Sequence, residues 1–181
     1  MKIYTPTELK AEMTRLGLKW LPFQLIGVRS KEDAIDAFDD RFFLIDGDKF
    51  YSYTGTTNPG IYWHQNFGKK TGVALLKPGQ YIDCWELGKH KGLYPAWVQR
   101  SPVTVYRDDD KDNKSDEGGK EETGLFGINI HHASADHVST KIGKWSAGCQ
   151  VFNDPVQHGQ LMILSEASGL KKFSYTLLKE F

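Results

Sequence analysis

The residues able to do chemistry gather in one stretch, "HHASADHVSTKIGKWSAGCQV" from 131 to 151, which holds His131, His132, His137 and Cys149. Three uses fit such a set: a metal site, a nucleophile with its base, or a buried strand whose polar residues are structural. Strand geometry counts against a metal held by His131, His132, His137 and Cys149, because adjacent side chains on a strand face opposite sides. In the structural reading Cys149 is a small buried hydrophobe and His131 a hydrogen-bonded strand residue, the ordinary fate of a cysteine and a histidine. The turn Ser146-Ala147-Gly148-Cys149 favours the nucleophile. Gly148 lets the backbone turn closely, leaving the amides of Gly148 and Cys149 to point at a developing oxyanion. A thiol of pKa about 8.5 is only a few per cent thiolate at neutral pH, so it needs a partner that lowers this value. His131 is the candidate to take the proton, and a Cys149 activated in this way is expected to alkylate well below pH 8.5.

These residues need elements to position them. "YTPTELKAEMTRLGLKW" predicts a helix from Pro6 to Leu16, with Thr5 as N-cap, Glu8 completing a capping box and Gly17 just past the end. Trp20, Leu21 and Phe23 read as core anchors. A second short helix is expected over Ser30 to Phe38, capped by Ser30 and carrying Glu32 and Asp33 near its positive end. From Arg41 to Tyr106 short apolar and aromatic runs are broken by Asp46-Gly47, Asn58-Pro59-Gly60 and Lys77-Pro78-Gly79, the punctuation of an antiparallel β domain. "GLFGINIHHA" predicts a buried strand over Leu125 to Ile130 with His131 at its end. Asp154, Pro155 and Gly169 bound a helix after the cysteine turn, and "KFSYTLLKEF" reads as a closing strand.

The result is one α+β, mainly β domain spanning 1–181, with an N-terminal helical segment over 1–40 and a β-rich core over 41–181. The charged run 107–123 is expected to be a mobile loop, since it has almost no apolar side chain to bury. Asp108, Asp110 and Asp112 alternate as calcium ligands do, but the glycine and terminal glutamate of an EF-hand loop are missing. "GKHKGLYPAWVQRSPV" offers His90, Lys91 and Tyr94 in a glycine-bounded loop, either a lining for a substrate cleft or an ordinary hairpin packed by Tyr94 and Trp97.

Lys plus Arg and Asp plus Glu number 23 each, which leaves no electrostatic footprint for nucleic acid or an anionic membrane. No apolar run approaches the roughly 18 residues of a membrane span, and the amino terminus has no basic-then-apolar leader. Two cysteines, with Cys84 in the strand-like "QYIDCWEL", do not indicate a disulfide framework.

"INIH" followed by "IGKWSAGC" resembles the active-site signature of the L,D-transpeptidase (YkuD-type) catalytic domain, in which a histidine precedes Ser/Thr-x-Gly-Cys. Papain-like and NlpC-type enzymes place the cysteine first, and sortases separate the pair by a longer stretch. "YTGTTNPG" and "SAGCQV" also resemble stand-alone bacteriophage-encoded members. The resemblance covers about residues 124 to 152. It implies an L,D-transpeptidase-like β-sandwich or barrel with N-terminal helices and a helix after the cysteine turn. It makes Cys149 the nucleophile and His131, which follows Ile130, the general base; Ser146, Gly148 and the backbone around Cys149 shape the oxyanion site. His132 falls where the family often has glycine and, with His90 and Tyr94, is a candidate to bind substrate. Ala147 stands where the family commonly has histidine, and Val151 where it often has arginine, so Arg29 and Arg107 are candidates for holding a substrate carboxylate.

The implied substrate is the peptidoglycan stem peptide, cleaved through a thioester without cofactor or metal. A chain with no export signal, made in the cytoplasm and acting on the wall after release, fits an endolysin-like monomeric hydrolase, either an endopeptidase or a carboxypeptidase. Transpeptidation that forms wall cross-links is the alternative. A non-catalytic phage structural or wall-binding β domain is another.

Overall fold

Thr5 opens the first helix as the sequence predicts. The structure, a computed structural model, describes residues 2–32, 34–67 and 71–181. In α1 (Pro6–Arg15) the Glu8 amide donates to Thr5 Oγ1 at 3.3 Å while Glu8 Oε2 accepts the Thr5 amide at 2.8 Å. This reciprocal cap satisfies two amides that a helix start leaves open. Gly17, at φ +69°, turns the chain out of the helix. Leu9 and Met13 are buried with Tyr4, Ile26, Val28 and Phe43, which docks α1 on the outside of the sheet.

The rest of the amino-terminal segment is not helical. β1 (Phe23–Arg29) is a strand buried along its whole length. The described residues of 30–38 form turns, and Asp33 lies outside the described residues. Side chains have replaced helical bonds there. Asp40 Oδ1 accepts the Ser30 amide at 2.7 Å, Ser30 Oγ accepts the Glu32 amide at 3.2 Å, and Asp39 Oδ2 accepts the Ala34 amide at 3.0 Å. Asp36 adopts φ +58°, which a helix does not permit.

β2 (Asp40–Asp46) and β3 (Lys49–Thr56) form a hairpin turned at Gly47 and Asp48, and α2 (Ile61–Gln65) is a single short turn of helix. β4 (Val73–Leu76), β5 (Gly79–His90), β6 (Tyr94–Gln99) and β7 (Val103–Asp108) follow. β8 (Lys120–Gly124), β9 (Ile130–His132), β10 (Gln150–Phe152), α3 (Pro155–Ala167) and β11 (Phe173–Lys179) complete the order. The strands close into a barrel in the order β1-β11-β5-β6-β9-β10-β3-β2, with β4-β7-β8 as a separate sheet. With 39% strand and 16% helix the chain is mainly β.

The barrel is filled by large aromatic side chains, among them Phe42, Trp85, Trp97, Phe152, Phe173 and Tyr175. Both buried indoles find acceptors, Trp85 Nε1 on the Ile128 carbonyl at 2.7 Å and Trp97 Nε1 on Ser165 Oγ at 2.9 Å. The second contact ties α3 to the barrel. Asp154 Oδ1 caps α3 by accepting the Val156 amide at 2.8 Å, as the sequence predicts.

The charged run departs from expectation. Residues 107–123 are not one mobile loop: Val103–Asp108 and Lys120–Gly124 pair as an antiparallel hairpin. Backbone pairing does not require the side chains of "KEETG" to be buried, and charges suit an exposed edge strand. The intervening residues 109–119 are anchored. Asp108 Oδ2 accepts the Asp116 amide at 3.1 Å, and Glu117 pairs with Arg29 and Lys179. The predicted strand Leu125 to Ile130 also shortens to Ile130–His132, with irregular chain before it. No helix among the described residues is long and apolar enough to cross a membrane.

Candidate active site

The turn before Cys149 is built by its own side chains. Buried Ser146 Oγ accepts the Gly148 amide at 3.2 Å and donates to the Cys149 carbonyl at 2.8 Å. Gly148 sits at φ +120°, where a Cβ would lie 2.2 Å from the Ala74 carbonyl oxygen, so only glycine fits against β4. The Gly60 amide holds the turn from outside by donating to the Ser146 carbonyl at 2.8 Å. Gln150 Nε2 holds it from inside by donating to the Gly148 carbonyl at 3.3 Å. Because Ser146 takes the Gly148 amide, the expected pair of free amides reduces to one: the Cys149 N–H has no partner among the described residues.

His131 arrives on the neighbouring strand. β9 and β10 pair in parallel with His131 opposite Val151, and this register brings the end of β9 beside the turn. A ring nitrogen of His131, a ring nitrogen of His90 and Cys149 Sγ all lie within 4.8 Å of one another. His131 is 1% exposed and Cys149 9%. His90 stacks on His131 with ring centroids 3.9 Å apart and planes 25° from parallel. The Cys149 thiol donates to the Gly127 carbonyl at 3.5 Å, and the backbone amide of Asn129 acts on the sulfur to favour its ionised form.

Hydrogen bonding fixes the tautomer of His131. Its Nδ1 lies 2.7 Å from the His132 carbonyl oxygen, which can only accept, so Nδ1 carries the proton and Nε2 the lone pair. Nε2 is buried and has no hydrogen-bond partner among the described residues. The Tyr94 hydroxyl, 3.0 Å from His131 Nδ1, donates to the same His132 carbonyl at 3.3 Å. Tyr94 therefore stands behind the base and braces it.

Burial dominates the electrostatics. It pushes the Cys149 thiol up to about 11, against the smaller lowering effects of the Asn129 amide and Lys91. It depresses His131 well below the ordinary histidine value, an effect reinforced by His90. His90 falls to about 4 through burial and then Lys91, and His158 to about 3 through burial and then His132. Both shifts favour a neutral thiol beside a neutral imidazole, the opposite direction from a thiol lowered by its partner.

The other candidates lie elsewhere. Half-buried His132 stacks on Tyr94 at 4.2 Å and meets His158 edge-on at 5.1 Å. His137 Nδ1 is 3.0 Å from Ser134 Oγ. The donor set of His131, His132, His137 and Cys149 is not assembled; among the described residues the three groups close enough to share an ion are His90, His131 and Cys149. Arg29 is a buried clasp, bound to Thr57 Oγ1 and the Thr57 and Leu76 carbonyls at 2.9, 3.1 and 3.0 Å and to Glu117 at 2.8 Å. Arg107 pairs with Glu122 at 2.6 Å and lies over the Phe126 ring. Neither joins the cluster, and the cation whose field reaches Cys149 is Lys91 on the β5–β6 turn.

Sequence reasoning passed over Asn129. Its carbonyl accepts the Gln150 amide at 2.9 Å, its side chain reaches His90, and its backbone amide favours ionisation of the Cys149 thiol. The available signal was its place in Ile128-Asn129-Ile130-His131, where extended alternation puts Asn129 and His131 on one side. A surface cavity of about 800 Å³ between α1 and the β2–β3 turn lies away from this cluster, and its lining has no cysteine or histidine. Chemistry, not cavity size, identifies the site. No protein-family model matches the chain, and no curated protein matches it either.

Proposed function

We propose that this protein is a cysteine peptidase of L,D-transpeptidase type that hydrolyses peptidoglycan stem peptides after release onto the cell wall. One observation carries the reading: a buried imidazole with its lone pair unpartnered lies within 4.8 Å of a thiol on a turn that accepts only glycine before the cysteine. The Ser146-Ala147-Gly148-Cys149 order and the barrel architecture agree with the family resemblance, which supplies the substrate class.

Each step follows from the placement of protons. The Cys149 S–H bond breaks as His131 Nε2 gains the proton, and the sulfur attacks the scissile carbonyl. The carbonyl π pair moves to oxygen, where the Cys149 N–H is the available donor. Collapse expels the amine, which takes the proton from His131 and leaves a thioester. Water, deprotonated by His131, then attacks the thioester and frees the acid and the thiol. His131 keeps Nδ1–H on the His132 carbonyl throughout, so its Nε2 alone cycles.

The test is digestion of purified sacculi, with the released fragments identified by mass spectrometry. Wild type is expected to release shortened or uncrosslinked stem peptides, and Cys149→Ala none. Equal release by the alanine variant would overturn the reading. Products joined to an added amine acceptor would assign the chain to transpeptidation instead.

A further inference from the structure

His90 offers a second histidine to the same sulfur, and its tautomer is set by a chain of hydrogen bonds that begins in the backbone. The Gln99 amide donates to Asn129 Oδ1 at 3.1 Å, which identifies the oxygen of that side chain. The other end, Asn129 Nδ2, lies 3.1 Å from His90 Nδ1. An amide nitrogen can only donate, so His90 Nδ1 carries a lone pair and the proton of the neutral ring sits on Nε2. With Nδ1 engaged, Nε2 is the nitrogen His90 has to offer the thiol. His131 is in the opposite state, protonated at Nδ1 and open at Nε2. Two stacked imidazoles of opposite tautomer therefore share one sulfur.

We infer that His90 is a further catalytic residue, whose Nε2–H donates to the negative charge that develops on Cys149 as His131 removes the thiol proton. This rests on the hydrolase reading for its consequence in turnover, but not for its chemistry. His90 adds a donor to the influence of the Asn129 backbone amide, which already favours the ionised sulfur. The same network disfavours an ion at His90, His131 and Cys149. Ligation through His90 Nε2 would need the proton moved to Nδ1, facing an amide that is itself a donor. His131 stacks on His90 at 3.9 Å, Tyr94 lies at 5.5 Å and Cys149 within 4.8 Å, while Lys91 and His132 act on it through space and both oppose its protonation. His90 accordingly stays a neutral donor across the pH range in which a wall hydrolase works.

The test uses the full chain and reads three quantities. Long-range ¹⁵N–¹H NMR at pH 7 is expected to show His90 neutral with the proton on Nε2; a proton on Nδ1, or a cationic ring, would overturn the inference. Peptide-resolved alkylation of Cys149 at pH 9 is expected to slow about tenfold or more in His90→Phe, the size of one charge-assisted hydrogen bond, and to recover in His90→Gln, whose amide can donate. Equal rates in the three proteins would also overturn it. In Asn129→Asp a carboxylate faces Nδ1 and calls the proton there, so the NMR signature is expected to reverse and sacculus digestion to fall with it. If wild type fails to digest sacculi, the hydrolase reading fails, while the NMR and alkylation results still decide the role of His90.

Discussion

The pH dependence of Cys149 alkylation follows from the neutral resting pair. With the thiol held near 11, about one molecule in 10⁴ is a thiolate at pH 7, against about one in 10² for a thiol at its ordinary value of 9.0. The difference corresponds to about 3 kcal/mol. Iodoacetamide reacts with the thiolate, so Cys149 in the free protein is expected to alkylate at least about 100-fold more slowly at pH 7 than in the urea-unfolded chain. Its burial slows it further. The rate should rise about tenfold per pH unit with no plateau below pH 10. The assay is quenched-flow alkylation followed by peptide mass spectrometry, which separates Cys149 from Cys84. The same proton has a stability counterpart: because the folded value lies above the unfolded one, this contribution is intact below about pH 9 and is lost as pH rises toward 11. A rate plateau at or below pH 8.5 would refute the reasoning, since it would mean a thiolate–imidazolium pair already formed before substrate arrives.

Other outcomes follow from the same geometry. His131→Ala is expected to abolish sacculus digestion, whereas His132→Ala, which removes a ring stacked on Tyr94, should retain turnover with weaker binding or stability; Michaelis kinetics on a soluble stem peptide separate the two. Gly148→Ala forces a Cβ to within 2.2 Å of the Ala74 oxygen at φ +120° and should cost about 3 kcal/mol, read as a fall in urea midpoint at constant slope. Acid should unfold the protein early, because His90, His131 and His158 all have folded values below the unfolded 6.5. Stability is then present above about pH 6.5 and falls as pH drops. His158, at about 3, alone accounts for about 3 kcal/mol by pH 4; calorimetry across pH 4–7 measures the trend, and a flat profile would refute it.

Local chemistry was the legible part of the sequence. The Thr5/Glu8 box and the Asp154 cap act within one turn, so α1 and α3 could be read from neighbours alone. The same holds for the Gly47 hairpin and for the Ser146–Cys149 turn. What the sequence hid is contact between distant segments. Ser30 to Phe38 has the composition of a helix, but Asp36, Asp39 and Asp40 turn their carboxylates onto backbone amides, and that preference appears only with the partners in place. "KEETG" looks unstructured because an edge strand needs no apolar face. Arg29 looked like a free cation for substrate and is instead a buried clasp on Thr57, Leu76 and Glu117. The role of Asn129 was hidden for the same reason, since it depends on Gln99, His90 and Cys149 converging from three segments.

The parallel pairing of β9 with β10 separates two tasks that many enzymes combine. Parallel neighbours are usually joined by a crossover helix, yet residues 133–149 return without one. They are pinned at a few points: Asp36 Oδ1 accepts the Gly143 amide at 2.6 Å and the Ile61 amide at 3.2 Å, and the Asn153 carbonyl accepts the Ser139 amide at 2.8 Å. Alignment of the Cys149 thiol with the His131 imidazole is written in two three-residue strands and one tight turn. On either side of those pins the excursion carries Val138 and Trp145 out into solvent. The exposed side chains there can therefore change without disturbing the register of His131 against Val151, and in evolution or in the laboratory this part of the surface can be rewritten around a fixed thiol and imidazole.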